Sequence, residues 1–432
     1  MGSAKIDSLV SVDDVAAHLR LLGAIRTYLR TLLKLRHIVF IDGAFRPTSS
    51  GQLLFARSAY RLKLWIENVL RPSFELYGPR QGLDEPELPP FDVLVMLHSY
   101  MLHPRSFYED TIRVYPELAL LSGFPLTQVS EQINDLMEYT PTAKQVAFWE
   151  FATGEVFVAP FSTAHYDTFK IICPSCTHPV VAHWTDTSSD VLSASDLSVQ
   201  CKDCKLQLTD PVLSVAAFLK DIGRSVSGQG VGVAGTLLSA EGKFDLERST
   251  AITSKIATAV DFQKIKKLPL GDAVRHLQKH SHSMFEDIEV EFLSCYGNPG
   301  GFSLDLGNAV LRQGSFASTM FHAGWTEPAF PSEAPSTIAE SIKRYRGFLE
   351  LTMKEQAPIG PTSEIDLVWH THQLSVNYRE DLMELFGWFL DHIDVAPEEV
   401  LASAFSNASD VWEKAFGTPY DGYFEAKVFR RQ

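Results

Sequence analysis

Two pairs of cysteines constrain the fold of this chain more than any other feature. Cys173 and Cys176 form one Cys-x-x-Cys pair, Cys201 and Cys204 form the second, and 24 residues lie between the pairs. Two residues between cysteines let both sulfurs of a turn face one centre, so two such turns supply four thiolates for a tetrahedral Zn²⁺ ion. Four sulfurs leave no open position, and we therefore expect a structural zinc; two unrelated thiol pairs are the alternative.

The residues around these pairs differ in composition and hydrophobic pattern from the rest of the chain. Residues 157–208 are rich in Val, Ile, Thr, Ser and Asp, in short apolar runs that polar turns interrupt, which is typical of strands. On both sides, apolar residues recur at helical spacing. We predict a mainly α protein with two helical halves and a small inserted β zinc-ribbon module. The predicted segments are 1–156, 157–210 and 211–432.

The two helical halves contain related histidine segments. Residues 366–374 place a carboxylate, a Trp and two histidines within nine positions, and residues 92–102 are similar. This similarity predicts a pseudo-repeat, and chance likeness between two amphipathic helices is the alternative. The alignment pairs four positions of the first half with four of the second: Asp92 with Glu364, His98 with His370, Tyr100 with His372, and Asp110 with Asp381.

A helix that starts just after Pro361, with Ser363 as N-cap and Asp366 at N3, separates the two later histidines. On this helix His370 and His372 point about 200° apart, so they do not easily bind one metal. Asp366 and His370 lie one turn apart on the same face.

Two interpretations of His370 stay open. In the first, Asp366 caps the helix, His370 bonds a neighbouring helix, and His372 is a satisfied core residue. In the second, His370 and Asp366 face His98 across the interface between the halves. That arrangement is a polar site inside a helical bundle, with His370 as general base or metal ligand.

Three further patterns are weaker. Residues 230–235 match a dinucleotide-binding fingerprint but follow a helix rather than a strand, so we expect a flexible loop. His392 opens a His-x-Asp triplet like that of iron- and oxoglutarate-dependent oxygenases, yet no histidine follows it, so we expect no such site. His276 and His280 are one turn apart, but their polar neighbours indicate a solvated face.

The formal net charge is −15, which disfavours nucleic acid as a partner because an acidic chain repels polyanions. No apolar run reaches the roughly 18 residues that span a bilayer. The first residues lack the basic start and apolar core of a secretory signal. We expect a cytoplasmic location with the nucleus as alternative, no membrane contact, and a small molecule or a protein as partner.

Several separated motifs resemble the glycine-rich-domain-containing-protein-like family of plants and fungi. The paired cysteine insert resembles its fungal branch. The sequence departs from the family pattern at Leu97, where Trp usually precedes the histidine, and at Glu364, where Asp is common. The motifs span residues 85–395 and lie at 90–94, 98–104, 108–110, the cysteine pairs, 235–238, 312–313, 324–325, 344–349 and 366–378.

The resemblance implies an architecture but no reaction, because the family has no established one. Its plant members are associated with stress and growth responses, and some with RNA binding. Because polar residues pair within otherwise apolar helices, we predict an intracellular tailoring enzyme of fungal specialised metabolism. Its site is expected between the helical halves, with His370 as base or ligand, helped by His98 and Asp366. The alternative is a non-catalytic protein-interaction or RNA-binding module that uses the zinc ribbon.

Overall fold

Most of the chain is helical, as the apolar spacing predicts. The computed structural model describes residues 9–78, 82–121, 123–159, 168–184, 197–230, 232–284, 295–355, 359–392 and 398–420. Helices before the cysteines are α1 (Val12–Lys34), α2 (Ser49–Trp65), α3 (Arg71–Tyr77), α4 (Phe91–Met101), α5 (Pro104–Arg113), α6 (Leu126–Glu131) and α7 (Ala143–Thr153). A π-helical turn (Ile66–Leu70) joins α2 to α3, and 3-10 turns lie at Glu85–Glu87, Pro116–Leu120 and Pro299–Gly301.

The helices after the cysteines complete the fold. They are α8 (Asp210–Val226), α9 (Leu246–Ala259), α10 (Phe262–Ile265), α11 (Leu270–Met284), α12 (Leu306–His322), α13 (Phe330–Glu333), α14 (Pro335–Lys354), α15 (Ser363–Gln373), α16 (Tyr378–Phe386) and α17 (Glu398–Phe416). Over the described ranges, no helix has both the length and the apolar character that a membrane span requires.

Among the described residues, three antiparallel hairpins accompany the helices. β1 (Ile38–Ile41) pairs with β2 (Ala44–Pro47), β3 (Thr168–Ile172) with β4 (Pro179–His183), and β5 (Val199–Gln200) with β6 (Gln207–Leu208). The second and third hairpins carry the cysteine pairs. The predicted mainly α fold with a small β insert is confirmed.

Helix α1 begins where the sequence predicts it and lies at the centre of the helical body. The Ser11 hydroxyl accepts a hydrogen bond from the Asp14 amide (3.1 Å), and the Asp14 carboxylate accepts one from the Ser11 amide (3.0 Å). This capping box starts the helix. Val15, Leu19 and Leu22 follow at helical spacing and are buried. Helix α1 packs against α6, α12, α14 and α15.

Buried side chains form two clusters. The larger cluster joins α1, α2, α4 and α12 to helices α14 to α17. The smaller cluster joins Cys173, Cys201 and the strands around them to helices α8 to α11 and Tyr296. The cysteine module therefore shares a core with the helices that follow it. The domain boundaries at 156 and 210 stay a prediction.

The two histidine segments form helices with equivalent contacts. Helices α4 and α15 each span eleven residues. The aligned acidic residue of each segment pairs with an arginine from an earlier helix. Asp92 Oδ2 lies 2.9 Å from Arg61 Nε, and Glu364 Oε1 lies 3.4 Å from Arg344 Nε.

The equivalence extends beyond each histidine. Two residues further along, the Tyr100 hydroxyl donates to Asp110 (2.6 Å), and His372 Nε2 lies 3.3 Å from Asp381 Oδ2. These are the pairs that the sequence alignment superimposes. Matching contacts at three aligned positions favour a repeat over chance likeness.

Candidate metal centres

Each cysteine pair lies in a tight turn between the strands of one hairpin. In the first turn the Cys173 amide donates to the His178 carbonyl (3.0 Å), and the Thr177 amide donates to the Cys173 carbonyl (2.9 Å). The second turn repeats both bonds at equivalent positions, and Thr177 and Lys205 share a left-handed φ of 62°. The two turns are therefore copies of one local structure.

The two turns bring four sulfur atoms together. Cys173 Sγ lies 3.5 Å from Cys204 Sγ, Cys176 Sγ lies 3.5 Å from Cys201 Sγ, and all four lie within 4.8 Å of one another. Sulfurs bound about 2.3 Å from a tetrahedral ion lie roughly 3.8 Å apart. A hydrogen bond from the Leu206 amide lowers the pKa of Cys204 to about 7, which favours the thiolate that a metal requires. The four cysteines are positioned to hold a metal ion.

Aromatic side chains dock the cysteine module on the helical body. The Tyr60 ring of α2 makes edge-to-face contacts with Phe169 of β3 and with Trp184, at centroid distances of 5.8 and 5.7 Å. The Tyr60 hydroxyl also accepts a hydrogen bond from the Lys170 amide (3.3 Å). The module is thus tied to a helix that precedes it by more than a hundred residues.

Helix α15 begins one residue before the predicted start. Thr362 is its N-cap residue, and the Asp366 amide donates to the Thr362 carbonyl (2.8 Å). The prediction of Ser363 as N-cap with Asp366 at N3 is therefore wrong. Because the chain enters the helix at Thr362, Asp366 lies beyond the first three helical positions, and its carboxylate faces His370 one turn later.

A carboxylate and two imidazoles meet beside α15. Asp366 Oδ1 lies 3.4 Å from His370 Nε2 and 3.6 Å from His392 Nε2, and the two Nε2 atoms are 2.9 Å apart. The side chains of His370, His392 and Asp366 are 1%, 9% and 20% exposed, so solvent reaches this group from the Asp366 side. We call these residues the interior triad; their donor atoms are close enough to hold one ion.

His392 is held in place by the segment that follows α16. Trp369 Nε1 donates to the Tyr378 hydroxyl (2.8 Å), which in turn donates to the Leu390 carbonyl (2.6 Å). The Trp369 ring also packs edge-to-face against His392, with centroids 5.1 Å apart. An indole and a phenol therefore fix the backbone two residues before His392.

His98 belongs to a chain of hydrogen bonds that starts in α15. The Thr371 hydroxyl donates to the Leu367 carbonyl (2.8 Å) and therefore accepts from His18 Nδ1 (2.9 Å). His18 Nε2 then accepts the Nε2 hydrogen of His98 (3.0 Å). This assignment of protons follows from the network and leaves a lone pair on His98 Nδ1. Within the described ranges that buried atom has no hydrogen-bond partner.

Burial keeps these imidazoles neutral. It lowers the pKa of His98 to about 3, and it lowers the pKa of His18 and of His370 well below the ordinary value of 6.5. Neighbouring imidazoles lower the pKa of His370 further: those of His392, His18, His98 and His103. The structure thus brings His98 within electrostatic range of His370, although His98 forms its hydrogen bond with His18.

His372 faces away from the interior triad, as helical spacing predicts. Its Nδ1 lies 3.0 Å from the Tyr345 hydroxyl, and its Nε2 lies 3.3 Å from Asp381 Oδ2. Both ring nitrogens of this buried side chain have partners, which is the pattern of a core residue.

The glycine-rich segment after α8 is an ordered turn. The two carboxylate oxygens of Glu109 accept hydrogen bonds from the amides of Gly235 (2.6 Å) and Leu238 (3.0 Å). Gly232 has a φ of 113°, and a Cβ atom there would lie 2.0 Å from Ser249 Oγ. The prediction of a flexible loop is therefore wrong for residues 232–235. The segment follows α8, a helix, so no strand introduces it.

Two participants of the interior were missed in the sequence. His18 lies in α1, where the spacing of the apolar residues is enough to predict the helix, and no sequence motif includes this histidine. The His-x-Asp interpretation of His392 looks for a partner downstream, whereas Asp366 and His370 precede it. Asp394 of that triplet and the side chain of His280 lie outside the described residues.

The fold and these two centres describe a helical protein with a four-cysteine module and an interior histidine–carboxylate group. Residues 250–376 match the family model described as "Glycine-rich domain-containing protein-like". Over residues 250–376 the chain is therefore similar to this family, which supports the resemblance drawn from its motifs there. Membership of the fungal branch stays a prediction. No solved structure matches the chain.

Two Arabidopsis thaliana relatives match parts of the chain. Glycine-rich domain-containing protein 1 is 34% identical over 126 residues, which is 27% of this chain and 14% of the relative. Glycine-rich domain-containing protein 2 is 30% identical over 152 residues, which is 31% of this chain and 18% of the relative. The chain matches less than a fifth of either relative, and their names state no reaction.

Proposed function

We propose that this chain is an enzyme that modifies a small molecule at an interior site containing Asp366, His370 and His98. One observation carries the proposal: Asp366 Oδ1 and His98 Nδ1 are buried and have no hydrogen-bond partner in the described part of the chain. Buried polar atoms without partners are unfavourable in a core, and a ligand, an ion or a bound water that meets them accounts for their presence. His370 is neutral and serves as base or metal ligand.

The cysteine module takes a structural role in this proposal. Four thiolates fill the coordination shell of zinc and leave no position for a substrate. The contacts of Cys173 and Cys201 with the smaller core support this role, because a metal there joins both hairpins to helices α8 to α11. Elemental analysis is expected to find about one zinc per chain at this site.

Metabolite profiling tests the enzymatic proposal without a known substrate. The purified protein is incubated with a small-molecule extract, and mass spectrometry compares its profile with those of His370→Ala and His98→Ala. His322→Ala is the control, because His322 is exposed on α12. We expect compounds that the wild type and the control convert and that both interior variants leave unchanged. Identical profiles for the wild type and the folded interior variants would refute the proposal.

The finer expectation, a tailoring step in fungal specialised metabolism, is part of the same proposal and is tested by the class of compound converted. The alternative is a non-catalytic module that binds through the ribbon. Exposed Ile172 and Val181 on the hairpin of β3 and β4 favour it, with 61% and 54% of their surfaces accessible. Its RNA-binding form predicts RNA retention that falls steeply with salt in a filter-binding assay. Absence of retention at low salt would exclude that form.

A further inference from the structure

We infer that Asp366, His370 and His392 form a second metal site, open to exogenous ligands, for a divalent first-row transition ion with iron(II) as the expected occupant. This inference deepens the proposed function, on which it rests for its chemical purpose. The site is separate from the cysteine module, which provides sulfur ligands from the other core.

The distances within the interior triad fit one ion. The circle through Asp366 Oδ1, His370 Nε2 and His392 Nε2 has a radius of about 1.9 Å, from separations of 2.9, 3.4 and 3.6 Å. Metal bonds to imidazole and carboxylate are about 2.0 to 2.2 Å long. An ion therefore lies slightly outside the plane of the three atoms. Three protein donors occupy only three of its coordination positions, so the others remain for exogenous ligands.

A hydrogen bond between His370 and His392, without a metal ion, accounts for the arrangement of the triad less completely than a bound ion does. One Nε2 hydrogen shared between His370 and His392 satisfies both nitrogens at 2.9 Å. With that hydrogen used between the rings, neither ring donates a hydrogen bond to Asp366 Oδ1. This oxygen is buried and lacks a hydrogen-bond partner among the described residues. A cation between the three atoms satisfies the carboxylate and both lone pairs together.

The donor set indicates the kind of ion. Two imidazoles and one carboxylate, with open positions, are the ligands of mononuclear iron(II) sites, whereas Mg²⁺ and Ca²⁺ prefer oxygen ligands alone. The surroundings also suit a reactive centre. Phe316 packs 4.6 Å from the His370 ring and Trp369 packs 5.1 Å from the His392 ring, so apolar groups cover two ligands. The Asp366 side chain is 20% exposed, so exogenous ligands can reach the site from that side.

The support behind His392 makes Tyr378 a positioning residue. Its hydroxyl connects Trp369 to the Leu390 carbonyl and so fixes the backbone that presents His392. Removing such support usually lowers metal affinity by about 10- to 100-fold. Tyr378→Phe should weaken the site without abolishing it, while removal of a ligand should abolish it.

Metal analysis of the full chain tests the inference. The protein is prepared anaerobically, supplied with iron(II) and zinc, desalted, and analysed for metal content in wild type, His392→Gln and Asp366→Asn. We expect two ions in the wild type and one in each variant. The retained zinc of the cysteine module reports that each variant is folded, and His322→Gln is the matched histidine control.

Cobalt(II) distinguishes the two centres by their spectra. A tetrahedral four-sulfur cobalt site absorbs in the near ultraviolet and strongly in the visible, so the cysteine module is first filled with zinc. The weak visible bands that cobalt then produces report the nitrogen–oxygen site. We expect His392→Gln to lose visible bands that saturate in the wild type, and Tyr378→Phe to need about 10-fold more cobalt for saturation. A single ion in the wild type, or two ions in both ligand variants, would overturn the inference. If the protein converts metabolites but binds no second ion, the metal-site inference fails and the enzyme proposal stands. If the protein binds a second ion but converts nothing, the enzyme proposal fails and the metal-site inference stands.

Discussion

Acid should destabilise this protein through its buried histidines, and His98 allows the size of the effect to be calculated. The pKa of His98 is about 3 in the folded chain because of burial, against an ordinary value of 6.5. A histidine with a lowered folded pKa does not affect stability well above pH 6.5, where both states are neutral. It destabilises the folded state as the pH falls below 6.5, because only the unfolded chain binds the proton. Between pH 7 and pH 5 the unfolded chain takes up about 0.7 of a proton at this position, which lowers the free energy of unfolding by about 2 kcal/mol. His18 shifts in the same direction.

The comparison of wild type with His98→Gln isolates this contribution. For a body of this size, about 2 kcal/mol corresponds to a change in melting temperature of roughly 4 to 8 °C. Thermal unfolding followed by Trp fluorescence at pH 7, 6 and 5 should therefore show that the variant loses less stability in acid than the wild type. Exposed His322→Gln should follow the wild-type curve. Parallel curves for His98→Gln and the wild type would refute the calculation, because they would mean that His98 takes up its proton in the folded state.

Three further substitutions test separate parts of the structure. Cys201→Ser should remove the metal of the cysteine module and lower the melting temperature of the smaller core, as measured by elemental analysis and calorimetry; unchanged metal content would contradict the four-sulfur geometry. Tyr378→Phe should cost about 1 to 3 kcal/mol in denaturant unfolding, since the Leu390 carbonyl loses its donor; an unchanged midpoint would show that bond to be replaceable. Gly232→Ala should cost about 2 kcal/mol or more because its φ is 113° and its Cβ meets Ser249. Gly154→Ala, in open space, should cost only about 1 kcal/mol, and equal losses would exclude the steric explanation.

Local rules predicted the elements of this fold well. The capping pair of Ser11 and Asp14, the start of α4 after Pro90, and the cysteine turns all depend on residues within a few positions of one another. The opposite directions of His370 and His372 also follow from helical geometry alone. The start of α15 differs by one residue because two neighbouring hydroxyl residues, Thr362 and Ser363, both suit an N-cap.

Long-range partners could not be predicted in the same way. His392 joins Asp366 and His370 through a segment that Tyr378 holds, and no periodicity connects these positions. The glycine-rich segment has the composition of a flexible loop, yet a single carboxylate from Glu109, more than a hundred residues earlier, orders it. Such contacts depend on how helices pack, which a pattern in one sequence does not encode.

The central position of α1 has a consequence for synthesis. About 270 residues separate the end of α1 from the start of α12, one of the helices that cover it. At 5 to 20 residues per second, a ribosome needs roughly 15 to 55 seconds to make that stretch. The described residues of the smaller core lie between 171 and 296, so it can close before α12 is made. Helix α1 can pack against α6 early, but the surface of α1 that α12, α14 and α15 cover stays exposed until those helices are made. The nascent chain should therefore depend on chaperones at its N-terminal helices and not at its cysteine module.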